Sequence, residues 1–529
     1  MNRQRFGLVI FFFILFFIFL EIRIFFISTF PDPRLTRRYR ASVTRGTIYD
    51  RHNRELAVSS LTYSLYIRPS QLDENIKKQI FQYLIQSKII QQNDIQSIGN
   101  DKSFAWIKRK MSLIEASPVK EMIQILKDKS IIKRDEIGLS PEEGRYYPFP
   151  ATAGIVGFVG IDNTGLSGLE LSMNKSLQQG YDVVTTIDGN LSTLCSEELK
   201  KGIIENKAES GSVVIINNKT REFLVIISFP DFDPNDLKSI TSYNMHSRAL
   251  SSTFEPGSIM KQFGVAYALE HKTLKPYYEC TGVASVGDYQ FTCNVPHGRV
   301  DIASIIQKSC NVGMIQVAES FRIKEYYPFL RSFGFGQAPE LPLSESSPGI
   351  LRSPNKWSFL SKYMISIGQE IGVTSVQLSI ASSIIADNGK YRTPMLISKV
   401  LDSQSKNYYQ QKINEYRIIS PETSKLLLKM MEKVVSENGT ALTAKIEGIT
   451  VAGKTGTGQI AKEKGGGYYK DLFNAVFVGY IPAENPELTV VIVVHKPHGE
   501  NHTGGLVAAP IFANIIRRMI SSTTHLTSN

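Results

Sequence analysis

The run FGLVIFFFILFFIFL, Phe6 to Leu20, carries no charged or hydrogen-bonding side chain, and such a stretch has to leave water. The following EIRIFFIS extends it to about 22 residues if Glu21 and Arg23 snorkel from the last turns, and roughly 20 apolar residues span a bilayer. A cleaved signal peptide fits less well, because Ile27-Ser28-Thr29-Phe30-Pro31 is a poor substitute for a small-x-small cleavage site. We therefore expect residues 1–30 to form a short cytoplasmic tail and one uncleaved transmembrane helix. Orientation is not settled by charge. Arg3 and Arg5 flank one side and Arg34, Arg37, Arg38 and Arg40 the other, so positive-inside counting alone favours the opposite topology.

The 529 residues, 42% of them hydrophobic and 21% charged, leave room for two to four folded domains and exclude a disordered chain. The formal charge of +11 is spread along the chain, with no long basic run beyond RLTRRYR at Arg34 to Arg40. That pattern suits anionic lipid or cell-wall polymer and argues against nucleic acid. Four cysteines are few for this length. Cys280 and Cys293 either bridge a short loop or stay free, while Cys195 and Cys310 have no near partner in sequence. No C-x-x-C occurs, which excludes a zinc ribbon. His495, His498 and His502 cannot share a helical face across Pro497 and Gly499, so a solvated loop is expected there, and no metal or cofactor.

From residue 31 to 187 the pattern is mixed, with alternating strands such as SLTYSLYI (Ser60 to Ile67) and a Pro- and Gly-punctuated region from Pro141 to Gly180. No chemistry converges there. Residues 188–529 are sharper. A helix from Leu191 to about Lys207 precedes SVVII, an Asn217-Asn218-Lys219-Thr220 turn and EFLVIIS, which read as a hairpin. Near the C-terminus ITVAGKTGTG, NAVFVGYI and LTVVIVVH read as strands, and APIFANIIRRMI as an amphipathic helix. Strands at both ends with helices between predict an α+β domain whose single antiparallel sheet is assembled from distant segments and flanked by helices.

GITVAGKTGTGQ, Gly448 to Gln459, satisfies two patterns at once. It is a literal G-x-x-x-x-G-K-[ST] phosphate loop, and Lys454-Thr455-Gly456 is the K-T-G triplet that accompanies S-x-x-K in penicillin-reactive acyl-transferring serine enzymes. A phosphate loop needs a curling backbone and a following helix. Ile449-Thr450-Val451-Ala452 is instead β-branched and strand-like, and GTGQIAKEKGGGYY carries no helical stripe. The strand reading stands, and it requires a nucleophile elsewhere.

The candidate lies in FEPGSIMKQFGVAYALEHK, where Pro256-Gly257 breaks the chain and Ser258 opens a helix to about Lys272. One turn puts Ser258 and Lys261 on the same face, so the amine can take the hydroxyl proton. The helix N-terminus offers positive potential to an oxyanion. Lys261 has to be neutral when it acts, and burial together with a second ammonium, Lys454, lowers its pKa. S-x-x-K alone means little, because Ser117 to Lys120, Ser130 to Lys133, Ser172 to Lys175 and Ser403 to Lys406 also fit. Only Ser258 follows Pro-Gly and precedes both Ser309-Cys310-Asn311 and Lys454-Thr455-Gly456-Thr457.

Residues of about Gly211 to Ala513, with EPGSIMK, KSCNVGM, AGKTGTGQ and GGLVAAPIF, resemble the transpeptidase domain of penicillin-binding proteins. RGTIYDRHNRELAVSS (Arg45 to Ser60), RYYPFPATAGIVGFVG and GLSGLE (Arg145 to Glu170) resemble the N-terminal pedestal, or dimerisation-like, module of class B members, and the whole resembles the division type. No glycosyltransferase-like segment precedes it, which argues against class A. The resemblance implies a serine β-lactamase-like transpeptidase fold and a membrane-anchored D,D-transpeptidase of septal cell-wall synthesis. Its partners would be peptidoglycan stem peptides, β-lactams, the cytoplasmic membrane, a membrane glycosyltransferase and division proteins. It also implies the roles. Ser258 attacks the penultimate D-alanine carbonyl and Lys261 is the base. Ser309 relays the proton, Asn311 holds the substrate amide and Lys454 adds positive potential. Thr455 and Thr457, with Gly456 between them, contact the terminal carboxylate, and the amides of Ser258 and Thr457 form the oxyanion hole. Asn53 stands where the pedestal motif has glycine, a substitution that a positive φ tolerates.

A β-lactam sensor or β-lactamase is the rival enzyme-like reading, and a lactamase needs an efficient deacylating base; none is identifiable in the sequence. A non-enzymatic scaffold is disfavoured by the intact triad. Because the run beginning at Phe6 is the one segment apolar enough to span a bilayer, removing Met1 to Thr29 is expected to yield a soluble protein that still reacts with penicillin. Detergent dependence with a second mapped membrane crossing would contradict this.

Overall fold

The Val- and Ile-rich segments expected to be strands do pair into one sheet in the computed structural model of the chain, which describes residue 16 and residues 44–527 except 97, 99–101, 134 and 463–466. The apolar run from Phe6 lies outside the described residues apart from Phe16. Among the described residues no helix is long and apolar enough to cross a membrane. The chain divides into Met1–Thr44 and Arg45–Asn529, and the architecture belongs to the second unit.

Five antiparallel strands lie in the order Ala452–Ala461, Tyr468–Ile481, Leu488–His495, Ser210–Asn217 and Phe223–Phe229. Val213, Val214, Ile215 and Ile216 are all fully buried, so strand Ser210–Asn217 is covered on both faces and reads as a continuous apolar run rather than an alternation. Helices Gly189–Glu205 and Ala508–Thr527 pack together on the sheet, and helix Ser375–Ala386 packs on it as well. All twelve residues of Ser375–Ala386 are buried, so this helix has no polar face to turn toward water. Its start is fixed by a capping box between Thr374 and Gln377. Helix Gly189–Glu205 begins where Asp188 accepts from the Leu191 amide at 3.1 Å.

A second sheet carries the N-terminal region. The long strand Glu55–Ile67 pairs with Ile48–Tyr49, Ala105–Met111 and Ile137–Tyr146. Asp182–Thr185 runs parallel to Ile48–Tyr49, and Ile397–Leu401 closes that edge. Distant sequence thus completes this sheet too. One hydrophobic core runs from Ile48 to Ile516, and a smaller one, from Leu65 to Ile137, fills the outer part of the N-terminal region.

The pedestal-like motifs meet in a buried ion cluster. Glu170, fully buried, accepts from Arg45 Nε at 2.7 Å and from Arg145 Nε at 2.7 Å. Arg45 also donates to the Glu170 carbonyl at 2.9 Å. Beside it Asp50 accepts from Arg54 Nε at 2.7 Å, and Arg54 reaches Asp188 at 2.6 Å. Asn53 has φ of 59°, the left-handed conformation that its place in the turn requires.

Of the two states left open for Cys280 and Cys293 the structure has the free thiols, and two other readings change. Cys310 does have a near partner, since its sulfur lies 3.7 Å from that of Cys293. His495 is not in a solvated loop: it ends the Leu488–His495 strand, where the LTVVIVVH reading already placed it, and its Nδ1 meets Asn474 Oδ1 at 2.9 Å. His498 faces Glu209 at 3.7 Å and His502 stacks on Phe473.

Removing the carboxylate of Glu170 leaves two guanidinium groups without their shared anion. Glu170→Gln is expected to lower the unfolding free energy by about 3–5 kcal/mol. Urea denaturation measures it, and a loss below about 1 kcal/mol would show that the cluster does not hold the N-terminal region together.

Candidate active site

Pro256 and Gly257 stop the preceding chain, and Gly257–Met260 forms a single 3-10 turn that leads into helix Lys261–Glu270. Ser258 therefore sits in the turn rather than in the first α-helical turn expected from the sequence. The i to i+3 spacing nonetheless brings Lys261 Nζ to 2.8 Å from Ser258 Oγ. Lys261 is completely buried. Its amine also donates to Ser309 O at 2.7 Å and Asn311 Oδ1 at 2.7 Å, with Ser309 Oγ at 3.2 Å.

Ser309 follows helix Ile302–Gln307 and holds φ of 55°. A non-glycine residue in the left-handed region is uncommon and costs of order 1–3 kcal/mol. Here that conformation turns both the carbonyl and the hydroxyl of Ser309 toward Lys261. Cys310 then caps helix Asn311–Ala318, its sulfur accepting from the Gly313 amide at 3.2 Å. Asn311 is held from its other end by donating Nδ2 to Thr292 O at 3.0 Å.

Lys454 arrives from the opposite side. It stands near the start of strand Ala452–Ala461, which continues past Thr455 without a helix, so the phosphate-loop context is absent. Its fully buried amine donates to Ser309 Oγ at 3.1 Å and to Thr455 O at 3.0 Å. Two amines thus share one hydroxyl. Burial pushes Lys261 down to about 8, partly offset by the neighbouring Cys310 and Cys293 sulfurs. Burial, and then the positive charge of Lys261, push Lys454 well below the ordinary lysine range. Both shifts have the sign that desolvation imposes on a cation. An anion arriving between them would pull Lys454 back up.

Strand Ala452–Ala461 approaches the Ser258 turn closely because glycines face it. A Cβ on Gly456 would lie 2.4 Å from Pro256 O, and one on Gly458 2.0 Å from Glu255 O. Gly456 thus acts as a spacer, bringing no side chain to a ligand. Thr455 is buried and its hydroxyl is 2.7 Å from that of Thr440, whereas half-buried Thr457 accepts from the Gly504 amide at 3.3 Å.

Thr440 has no local signal in the sequence and was missed. Glu255 was also missed, although it immediately precedes Pro256-Gly257. Its carboxylate accepts from the Glu370 amide at 3.0 Å and from Tyr468 OH at 3.2 Å, and burial pushes it up to about 7. It links the Ser258 turn to strand Tyr468–Ile481.

The arrangement provides a hydroxyl, an amine with a depressed pKa in contact with it, a second cationic site and a helix N-terminal turn, the parts needed for acyl transfer through serine. The sequence profile of the penicillin binding protein transpeptidase domain matches residues 211–517, and that of the penicillin-binding protein dimerisation domain matches residues 40–202. The stage V sporulation protein D of Bacillus subtilis is 29% identical over 97% of this chain and 85% of its own length. The peptidoglycan D,D-transpeptidase FtsI of Escherichia coli K12 is 27% identical over 92% of this chain and 84% of its own. Among solved structures, penicillin binding protein 3 of Mycobacterium tuberculosis complexed with aztreonam superimposes with a TM-score of 0.73. It is 23% identical, covering 91% of this chain and 97% of that one.

If Lys261 accepts the Ser258 proton, its unprotonated form is the reactive one. The rate of acylation by a labelled penicillin is then expected to rise about tenfold per pH unit on the acid side and to flatten above about 8. Stopped-flow measurements between pH 6 and 9 check this, and a rate independent of pH below 8 would exclude Lys261 as the base.

Proposed function

Because this chain belongs to the penicillin-binding proteins, with their transpeptidase domain at residues 211–517, we propose that it is the serine-type D,D-transpeptidase that cross-links peptidoglycan stem peptides in septal cell-wall synthesis. The observation that carries the mechanism is the 2.8 Å contact of the completely buried Lys261 amine with half-buried Ser258 Oγ. Lys261 takes the hydroxyl proton as Ser258 Oγ bonds to the penultimate D-alanine carbonyl carbon. The amides of Ser258 and Thr457 receive the oxyanion, and Ser309, hydrogen-bonded to both lysines, passes the proton to the departing D-alanine nitrogen as the C–N bond breaks. Asn311 orients the donor amide. Lys454, Thr455 and Thr457 receive the terminal carboxylate, with the Thr455 hydroxyl oriented by Thr440. An acceptor amine then attacks the Ser258 ester, releasing the cross-linked product and returning the proton to Oγ.

A β-lactam, whose carboxylate and strained amide present the same groups, would acylate Ser258 and stay. The apolar run in residues 1–30 supports an N-terminal anchor in the cytoplasmic membrane with the catalytic unit outside it, residues 31–187 serving as pedestal and 188–529 as transpeptidase. A membrane glycosyltransferase and division proteins are the partners this placement needs.

Mass spectrometry of the penicillin-treated protein is expected to put the added mass on the peptide containing Ser258, and Ser258→Ala is expected to abolish it while costing only about 1 kcal/mol of stability. An adduct that persists in folded Ser258→Ala, or maps to Ser309, would refute the assignment. An adduct that hydrolyses within seconds would favour a lactamase.

A further inference from the structure

Three of the four cysteines and one histidine meet beside the Ser309 turn. Cys280 ends strand Tyr278–Cys280, Cys293 follows strand Tyr289–Thr292, His297 precedes strand Gly298–Val300, and Cys310 caps helix Asn311–Ala318. One ligand atom from each lies within 4.8 Å of all the others. Cys293 Sγ is 3.7 Å from Cys310 Sγ, and Cys280 Sγ is 3.5 Å from His297 Nδ1.

These two separations identify what the cluster is built for. A disulfide requires its sulfurs about 2.05 Å apart, and all four thiols of the chain are free. Zinc binds sulfur at about 2.3 Å and imidazole nitrogen at about 2.0–2.1 Å, so a tetrahedral site has S–S edges of about 3.8 Å and S–N edges of about 3.5 Å. The observed pairs have those lengths. We propose that Cys280, Cys293, His297 and Cys310 form a structural zinc site, an inference that goes beyond the transpeptidase reading and does not rest on it.

The surroundings fit a soft divalent metal. The Val312 amide donates to Cys293 Sγ at 3.3 Å and the Gly313 amide to Cys310 Sγ at 3.2 Å, bonds that favour the thiolate form a metal needs. The backbone fixes the other ligands, with His297 N donating to Cys280 O at 3.2 Å and Cys293 N to Gly282 O at 2.9 Å. Cys280 and Cys310 are buried, while Cys293 and His297 are only half-buried, which leaves an entry path on one side. Binding displaces three thiol protons to solvent and leaves three thiolates, a neutral imidazole and the dication, a net charge of −1. The spacing is C-x12-C-x3-H-x12-C, which contains no C-x-x-C, so the exclusion of a zinc ribbon does not bear on this site. With all four positions taken by protein, the metal has no open position for substrate, and its effect is mechanical. It ties the residue between Ser309 and Asn311 to the neighbouring strands, on the same side as the Asn311 bond to Thr292.

Elemental analysis of the full-length protein, purified without chelator, is expected to find about one zinc per chain, and Cys280→Ser or His297→Ala to lower it at least about tenfold. Cys195→Ser, remote from the cluster, is expected to keep it. Because a ligand variant can fail to fold, the unmodified protein reconstituted with cobalt(II) supplies a second readout: intense visible d–d bands of tetrahedral cobalt and a thiolate-to-metal charge-transfer band. The proposal is overturned if the unmodified protein incubated with zinc and desalted retains none, if cobalt gives only weak octahedral bands, or if non-reducing peptide mapping finds Cys293 bonded to Cys310.

Discussion

Two lysine amines held out of water against one serine hydroxyl are the constraint on which the rest of this structure depends. Lys261 and Lys454 are fully buried, and no carboxylate contributes to the pKa of either. An uncompensated buried cation is expensive. The site meets that cost with fixed acceptors instead of a counter-ion: Ser258 Oγ, the Ser309 carbonyl and hydroxyl, Asn311 Oδ1 and Thr455 O. Neutral acceptors leave the amines easier to deprotonate than a carboxylate would. They also leave the missing negative charge to be brought by a ligand, and in the function proposed that charge is the terminal carboxylate of the donor peptide.

Holding such acceptors in place requires rigidity from several directions. Ser309 adopts φ of 55° because helix Ile302–Gln307 ends before it and helix Asn311–Ala318 starts after it. Strand Ala452–Ala461 can lie against the Ser258 turn only because Gly456 and Gly458 present no Cβ to Pro256 O and Glu255 O. The strand is backed by the antiparallel sheet and its helices, so the position of Lys454 is set by the largest core in the chain. The N-terminal region shares that core through Ile48, Leu56 and Tyr147, and the Arg45, Arg145 and Glu170 cluster organises it without touching the reacting groups.

The cysteine–histidine cluster adds a hold on the far side of the same turn. Cys310 is at once the cap of helix Asn311–Ala318 and a neighbour of Cys293, so any ligand of these sulfurs acts on Ser309 and Asn311 through the backbone. The middle position of S-x-N can vary without changing the reacting groups, and here it carries a second chemistry.

Much of this was legible in the sequence for a local reason. Apolar periodicity, Pro256-Gly257 punctuation and helical spacing act over a few residues, so the strands, the helix after Ser258 and the pairing of Ser258 with Lys261 could be read directly. The order of the three motifs singled out side chains that the fold brings together, and the β-branched run before Lys454 excluded a phosphate loop. Tertiary structure alone decided which sulfurs meet, that Gly456 makes room for the Ser258 turn, that Thr440 and Glu255 support the site, and that both amines lie out of water. Cys280, Cys293, His297 and Cys310 come from three strand edges and a helix start, and Thr440 reaches Thr455 across a loop. Such distances, and the desolvation that sets the lysine pKa values, exist only once segments far apart in the chain close into one sheet and core, and no local pattern of residues encodes them.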